Sequence, residues 1–241
     1  MTGTTPDASL DDAALARLLA EPHAPNGGPT VVHRLGGTTL RKASVGEMDN
    51  NAYVLTAPDG SRLLVDAAAD APRLRELLAE AGDGPLVGIV TTHRHFDHVG
   101  ALEELAAATG APTYAGADDA DHLPVPPDHR LEHGDTIAVG DLAVGVIALR
   151  GHTPGAIALV VHEDADGADP GRAHVLTGDS LFPGGPGKTW APQDFVSLMD
   201  DLEARVFGVY GDDARVYPGH GDDTLLGIER PHLGEWRARG W

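Results

Sequence analysis

The sequence predicts an α/β protein in which two β-sheets lie face to face and helices cover their outer faces. Three observations support this four-layer αββα sandwich. Short apolar or β-branched runs, typical of strands, occur in blocks, and each block is followed by amphipathic helices. The second half of the chain repeats the plan of the first. At 241 residues, the chain is long enough to bury one large layered core.

The predicted strands are short and are separated by turn signals. Residues 58–60, a Pro-Asp-Gly turn, join two of them. The run at residues 86–92 is almost continuously apolar, as in a buried strand, and leads directly into a histidine-rich segment. The predicted strands are residues 31–36, 38–45, 52–57, 61–67, 86–92, 142–150, 156–163, 173–179 and 214–218.

Helices are predicted where apolar residues recur at helical spacing. Residues 71–81 carry a leucine stripe that ends at a glycine. A second helix is expected over residues 98–109, with Asp97 as its N-cap. An amphipathic pattern predicts a third helix over residues 195–210, and a last helix is expected around residues 230–239.

The first 29 residues are predicted to form an N-terminal appendage. Within it, residues 9–20 have the pattern of a short helix that Ser9 can cap. A Pro/Gly-rich stretch then has the composition of a linker, so one domain is predicted over residues 30–241. The start of the chain shows no basic region followed by an apolar run, and we therefore expect a cytoplasmic protein.

Composition argues against several classes of function. A net charge of −20 disfavours binding to nucleic acid or to an anionic membrane surface. The chain contains no cysteine, which excludes disulfides, a thiolate nucleophile and zinc sites built on sulfur. The expected binding partner is therefore a small molecule, and the sequence leaves the oligomeric state open.

The histidine-rich segment after residue 92 has the spacing of a metal site. His93 and His95 are separated by one residue where the chain leaves a strand, so their imidazoles can converge on one ion. Asp97 and His98 follow at a predicted helix start and point more naturally to a neighbouring position. The alternative interpretation is a solvated histidine-rich loop.

Three later segments each place one polar side chain in a tight Gly/Pro setting after an apolar strand. They carry His152, Asp179 and His220. Glycine and proline hold the backbone in turns that project such a side chain rigidly. Because we expect the strand ends to gather at one edge of the sheets, all seven side chains are expected to meet. Five imidazoles and two carboxylates suit zinc, with iron or manganese as alternatives.

The segments THRHFDH, GHTPG, TGDSLF and YPGHG together resemble the metallo-β-lactamase-fold hydrolases, and most closely the glyoxalase II-like (hydroxyacylglutathione hydrolase-like) branch. The likeness runs from about residue 30 to residue 241, with the motifs in the family's order. It implies two divalent metal ions per chain that share Asp179. The first would be held by His93, His95 and His152, and the second by Asp97, His98 and His220.

The resemblance also implies a hydrolytic reaction. Two ions sharing a water lower its pKa towards neutrality and present hydroxide, which would attack a thioester or a related ester. Asp97 would orient that hydroxide. In this family an aspartate at the end of the strand before the first helix supports a ligating imidazole, and Asp66 matches it. The alternative for Asp66 is a plain turn residue.

The loop after Asp179 resembles the glyoxalase II loop that contacts the thiol-peptide part of the substrate. Lys188 falls at the position of the family's basic residue and is predicted to bind an anion, although a solvated lysine is the alternative. Trp190 is a predicted substrate contact that stands where the family commonly has a tyrosine. The family's helical C-terminal extension with basic residues is not matched, so glutathione itself is not supported as the thiol carrier.

Other functions remain open at this point. A mononuclear iron oxidoreductase similar to persulfide dioxygenases would use His93, His152 and Asp179, but the loop after Asp179 lacks the arginine and cysteine pattern expected for it. Lactonase or β-lactamase activity, or metal binding without turnover, are further alternatives. The remaining histidines are expected to be structural or surface residues: His23, His33, His122, His129, His133, His162, His174 and His232.

Overall fold

The computed structural model describes residues 16–240 and confirms the predicted four-layer architecture. Within that part, a seven-stranded and a six-stranded sheet pack face to face, and a small hairpin lies beside them. The strands are β1 (Val31–Leu35), β2 (Thr38–Val45), β3 (Asn50–Thr56), β4 (Arg62–Val65), β5 (Leu86–Thr91), β6 (Thr113–Gly116), β7 (His129–Leu131), β8 (Thr136–Val139), β9 (Leu142–Ala148), β10 (Ile157–His162), β11 (Ala173–Gly178), β12 (Leu181–Phe182), β13 (Gly185–Pro186), β14 (Arg215–Pro218) and β15 (Thr224–Leu225). The helices are α1 (Ala71–Glu80), α2 (Leu102–Thr109), α3 (Pro192–Leu202), α4 (Leu226–Glu229) and α5 (Leu233–Arg239).

The first sheet has its strands in sequence order, β1 to β7, and the second has the order β15-β14-β11-β10-β9-β8. In the first sheet, β1 to β4 are antiparallel neighbours, and β4 to β7 are parallel. In the second sheet, β11 and β14 form the parallel pair. The connections between parallel strands contain α1 (β4 to β5), α2 (β5 to β6), a 3-10 turn at Ala120–His122 (β6 to β7) and α3 (β11 to β14).

Side-chain alternation in the central strands separates three apolar layers. In β3, Tyr53 and Leu55 face the space between the sheets, while Ala52 and Val54 face α1 and α2. On the outer side of the second sheet, α3 and α5 cover a third cluster that includes Trp236. Alternation in β3 therefore assigns neighbouring side chains to opposite apolar layers.

The second predicted helix begins later than expected, and the prediction of Asp97 as its N-cap is wrong. Phe96–His98 forms a separate 3-10 turn, and α2 has no side-chain N-cap. Instead, the backbone N–H of Gly100 donates to the carbonyl of Ala68 over 2.8 Å. Because backbone after β4 satisfies this helix start, the Asp97 carboxylate is available to face the sheet edge.

The last two predicted helices also differ at their ends. The helix expected over residues 195–210 begins at Pro192. Proline is tolerated there because the N–H that it lacks has no partner in the first turn of a helix. After Leu202 the helix continues as a π-helical segment, Glu203–Phe207. The C-terminal helix is interrupted by a 3-10 turn, Arg230–His232, that contains a proline. Among the helices of residues 16–240, none combines the length and the apolarity needed to cross a bilayer.

The N-terminal segment is described from residue 16 onwards. Residues 9–15 of the predicted N-terminal helix lie outside the described part, and residues 16–18 are helical. The domain boundary at residue 29 stays a prediction.

Candidate metal centre

Polar side chains gather where several strands end at one edge of the two sheets. β9 and β11 both pair antiparallel with β10, and β14 is parallel with β11, so these three strands end at the same edge. His152, Asp179 and His220 follow them. The segment after β5 in the other sheet supplies the rest: His93, His95, Asp97 and His98.

The structure brings all seven predicted side chains together in three overlapping groups. Within each group, the candidate ligand atoms lie within 4.8 Å of one another. The groups are His93, His95 and His152; His93, His98 and Asp179; and Asp97, His98 and His220.

Asp179 lies between the first group and the third. Its Oδ1 is 3.4 Å from Nε2 of His98, and its Oδ2 is 3.4 Å from Nε2 of His220. The same Oδ2 lies 3.6 Å from Nε2 of His152. Gly219 allows this approach, because a Cβ on it would lie only 2.1 Å from Asp179 Oδ1. The carboxylate is therefore in reach of both sides of the centre.

Three of the five imidazoles that face the centre are fixed from behind by a hydrogen bond between their other ring nitrogen and a hydroxyl or a backbone carbonyl. Nδ1 of His93 is 3.1 Å from the Thr92 hydroxyl. Nδ1 of His152 is 2.7 Å from the carbonyl of Lys188, and Nδ1 of His220 is 2.8 Å from the carbonyl of Met48. A carbonyl accepts but cannot donate, so the Nδ1 atoms of His152 and His220 carry the hydrogens. Their Nε2 lone pairs therefore face the centre.

Two pairs of these inward-facing nitrogens lie at hydrogen-bonding distance, so a proton or a metal ion must lie between their lone pairs. His98 Nε2 lies 3.1 Å from His220 Nε2, and His152 Nε2 lies 2.9 Å from His95 Nδ1. In addition, His93 Nε2 is buried and has no hydrogen-bond partner among the described residues. A cation at the focus of such nitrogens satisfies them all.

The electrostatics of the centre also favour positive charge. Burial lowers the pKa of His98, but the carboxylates of Asp179 and Asp66 outweigh burial and raise this pKa to about 10. Burial raises the pKa of Asp179, but His220 and His98 outweigh it and hold this pKa well below its ordinary value. Burial lowers the pKa of His93, which keeps its ring neutral. These donors are compatible with a dinuclear metal site.

Asp66 lies behind the centre, at the end of β4. Its Oδ1 accepts the backbone N–H of Thr92, and its Oδ2 accepts the Thr92 hydroxyl, both over 2.7 Å. The same Oδ2 lies 2.9 Å from Nδ1 of His98. Asp66 has a positive φ of 59°, which aspartate tolerates better than most residues. One carboxylate thus holds both the strand end before His93 and the ring of His98.

Two further polar residues organise the centre and were not identified from the sequence. Asn50 Nδ2 donates to Asp97 Oδ2 over 3.0 Å and fixes the direction of that carboxylate. The buried Asp119 accepts the backbone N–H groups of Arg94 and Gly155, over 3.1 and 3.0 Å, which joins the two loops that carry His93, His95 and His152. Asn50 could have been found from the sequence, since it begins a strand at this edge. Asp119 could not, because it lies in an acidic loop with no distinguishing pattern.

Lys188 and Trp190 lie on the rim of the centre. Lys188 Nζ is 4.4 Å from the centroid of the Trp190 ring, and that ring is 6.2 Å from the ring of His95. A cavity of about 520 Å³ lies beside His95, His152 and Trp190. A second cavity, of about 400 Å³, is lined by Lys188 and Arg239.

The other histidines lie outside the three groups, as expected. His33 and His174 are buried on two sides of Tyr217, between the sheets. His23 pairs with Asp222 at the surface. Tyr53 is a core residue whose hydroxyl donates to the carbonyl of Pro218 over 2.6 Å.

Comparison with known proteins identifies the family. The model of the metallo-β-lactamase superfamily matches residues 45–220. A hydroxyacylglutathione hydrolase from Fuscovulum blasticum is 41% identical over 152 residues, covering 59% of this chain and 55% of that protein. The chain thus spans about half the length of this relative.

Two further relatives are matched over most of their length. YqgX, a probable metallo-hydrolase from Bacillus subtilis (strain 168), is 30% identical over 206 residues, covering 76% of this chain and 90% of that protein. The second is the protein in the crystal structure of TTHA1623 in a di-iron-bound form, which is 30% identical in sequence to this chain. The two structures superpose with a TM-score of 0.64, and the match covers 78% of this chain and 96% of that one. The chain therefore belongs to the metallo-β-lactamase superfamily.

Proposed function

We propose that this protein hydrolyses a thioester, or a related ester, at a dinuclear metal centre. The observation that carries the proposal is the position of Asp179, whose two oxygens lie within 3.4–3.6 Å of imidazoles on both sides of the centre. A carboxylate in that place can bridge two cations. The di-iron form of TTHA1623 and the hydroxyacylglutathione hydrolase from Fuscovulum blasticum support this assignment.

The side chains proposed as ligands divide between two ions. His93, His95 and His152 would hold the first, Asp97, His98 and His220 the second, and Asp179 both. Zinc is the metal we propose, with iron or manganese also suited to nitrogen and oxygen donors. When bound, two such ions supply a nucleophilic water of lowered pKa and polarise the carbonyl of the substrate.

The protein's own residues supply orientation. Asp97 Oδ2 lies 3.3 Å from His220 Nε2 and accepts a hydrogen bond from Asn50, so its carboxylate is aimed into the centre. We assign Asp97 the role of holding the attacking water and accepting its proton. Asp66 keeps His98 in place, since its buried carboxylate contacts that ring.

Charge on the rim supports a substrate with an anionic carrier. Lys188 and Arg239 line one cavity, and within residues 16–240 neither head group pairs with a carboxylate. By contrast, the neighbouring Arg237 is paired with Asp200 and Glu203. We propose that Lys188 and Arg239 bind a carboxylate of a small thiol carrier, and that Trp190 packs against the carrier's chain.

The test is metal content measured beside activity on a panel of thioesters, lactones and β-lactams. We expect about two metal ions per chain and highest turnover on thioesters. Asp97→Asn should lower kcat by roughly 10²–10⁴-fold, because the variant lacks both the assigned proton acceptor and one proposed metal ligand. His133→Ala, at an exposed histidine outside the three groups, is the matched control and should leave turnover unchanged.

Two outcomes would overturn the proposal, and a third would change its substrate class. Thioester hydrolysis that survives Asp97→Asn at the wild-type rate would remove the assigned proton acceptor. One iron per chain with oxygen uptake on a persulfide substrate would favour the dioxygenase-like alternative instead. Turnover confined to lactones or β-lactams would keep the metal centre but replace the substrate class.

A further inference from the structure

An N-terminal strap, residues 18–28, crosses the loop between β14 and β15. At one end, Asn26 Nδ2 donates to the carbonyl of Gly46, in the turn after β2, over 2.6 Å. Nearer its start, the strap carbonyl of Pro22 accepts the backbone N–H of Asp223 over 3.0 Å. The strap is therefore tied both to the first sheet and to the loop that follows β14.

A buried charge clamp lies beneath the strap and consists of Lys42, Arg215 and Asp223. The side chains of Lys42 and Asp223 are fully buried, and that of Arg215 is 5% exposed. Asp223 Oδ1 is 2.8 Å from Lys42 Nζ, and Asp223 Oδ2 is 2.7 Å from Arg215 Nη2. Within these contacts, the single carboxylate of Asp223 pairs with two cations. One positive charge therefore has to be stabilised by other hydrogen-bond acceptors.

Backbone carbonyls of the strap provide that compensation. Lys42 Nζ donates to the carbonyl of Pro22 over 2.9 Å. Arg215 donates to the carbonyls of Leu18 and Ala20 over 2.9 and 3.0 Å. A buried cation without such acceptors is strongly destabilising, so the clamp and the strap require each other.

The clamp also holds the backbone next to His220. Lys42 Nζ donates to the carbonyl of Gly221, the residue that follows His220, over 2.6 Å. Asn51 Nδ2 donates to the same carbonyl over 2.9 Å. Because His220 reaches the centre from this loop, the position of its ring depends on Lys42 beneath the loop and on the strap above it.

The other side of the centre is braced by different residues. His152 is held through the carbonyl of Lys188, and its loop is joined to the His93 segment through Asp119. Among the contacts of residues 16–240, these braces involve neither the strap nor the clamp. A change in the clamp should therefore act on one side of the centre only.

We propose that the N-terminal strap and the charge clamp position His220 and thereby set the affinity of the metal site formed by Asp97, His98 and His220. Lys42 acts here as a positioning residue, through the carbonyl of Gly221. The inference rests on the dinuclear centre proposed above and not on the identity of the substrate.

The experiment is calorimetric titration of Zn²⁺ into the metal-free, full-length chain. We expect wild-type protein to bind two equivalents. Lys42→Met should leave the first affinity unchanged and weaken the second by roughly tenfold or more, as loss of a partner behind a ligand does. Lys42→Arg should restore most of the second affinity. The exposed cation Arg34 on β1 supplies the matched control, Arg34→Met, which should behave as wild type.

Hydrogen exchange reports on the strap itself. In Lys42→Met, the amide of Asp223, which donates to the strap, should exchange faster, whereas the amide of Gly155 should not change. If Lys42→Met fails to fold, Asn26→Ala gives a milder test, since it removes only the contact with Gly46. It should loosen the strap and weaken the second metal severalfold.

The outcomes separate this inference from the proposed function. If a variant shows faster hydrogen exchange in the strap but still binds two equivalents of Zn²⁺ with wild-type affinities, only the inference is overturned. Uptake of one equivalent by wild-type protein would overturn the dinuclear centre and the inference together. Lys42→Met could weaken both metal affinities while Lys42→Arg and Asn26→Ala weaken neither. In that case the clamp would stabilise the fold in general and would not position His220.

Discussion

The carboxylate of Asp66 lies 2.9 Å from Nδ1 of His98, and both side chains are buried. The same carboxylate accepts the N–H and the hydroxyl of Thr92, one residue before His93. Asp66 therefore acts on two proposed ligands at once. Loss of its charge should affect metal binding before it affects substrate binding, because Asp66 lies behind the ring of His98.

We expect Asp66→Asn to weaken metal binding by about 10–100-fold, the usual effect of removing a carboxylate behind a ligating histidine. Asparagine also tolerates the φ of 59° at this position, so the backbone should keep its course. Metal affinity is measured by competition with a chelator of known affinity. Asp70→Asn is the matched control, since Asp70 has a φ of 51° but caps α1 away from the centre. Equal affinities in both variants would contradict the role of Asp66.

Asp119 should matter for stability as well as for the metal. Its carboxylate accepts the N–H of Arg94, the N–H of Gly155 and the hydroxyl of Thr153, and it is fully buried. In Asp119→Asn the N–H₂ group of the new amide must face one of these three donors, and that donor then has no acceptor. The free energy of unfolding should therefore fall by about 2 kcal/mol. Urea denaturation of the metal-free chain measures this effect. The exposed neighbour gives the control Asp118→Asn, and a match between the two variants would refute the argument.

The charged rim should distinguish substrates by their thiol carrier. Lys188→Met and Arg239→Met should each raise KM severalfold for an acyl-glutathione, with kcat little changed, because the contact is made equally in ground and transition states. KM for the same acyl group on uncharged N-acetylcysteamine should not change. Arg237→Met controls for a general effect of removing a cation from α5, since Arg237 is already paired with Asp200 and Glu203. KM changes that are the same for both carriers would contradict anion binding.

The seven proposed ligands were predictable because each lies shortly after an apolar strand, and because His152, Asp179 and His220 also lie among glycines or prolines. Strand direction then brings segments as distant as His93 and His220 to one edge, and the structure places them there. The layers were predictable for a related reason, since alternation in strands such as β3 assigns side chains to opposite faces. Local pattern and global fold agree at these positions.

Local rules failed where a distant residue supplied the partner. Asp97 before an apolar run has the pattern of an N-cap, but its carboxylate contacts Asn50, and the N–H of Gly100 bonds to Ala68 instead. Asp119 was missed for the same reason, because its partners at Thr153 and Gly155 lie far along the chain. The strands β6, β7 and β8 were too short for a period to be visible.

Buried histidines between the sheets should make stability depend on pH. Burial, and next the nearby Arg215, lower the pKa of His33 to about 3, and burial with Arg172 does the same for His174. In the unfolded chain these rings have a pKa of about 6.5, so below that pH the unfolded state binds more protons than the folded state. The free energy of unfolding should therefore fall as pH drops from about 6.5 towards 3, and neither ring contributes to the pH dependence above that range.

Replacement of one ring measures its share of this effect. Between about pH 7.5 and pH 5.5, the metal-free wild type should lose about 1 kcal/mol more stability than His174→Gln, which cannot take up the proton. His133→Gln, at an exposed position, should keep the wild-type pH dependence. Urea unfolding at the two pH values gives the comparison, with chelator present so that metal release does not contribute. Parallel pH dependences for wild type and His174→Gln would mean that the ring of His174 has the same pKa in the folded and the unfolded chain.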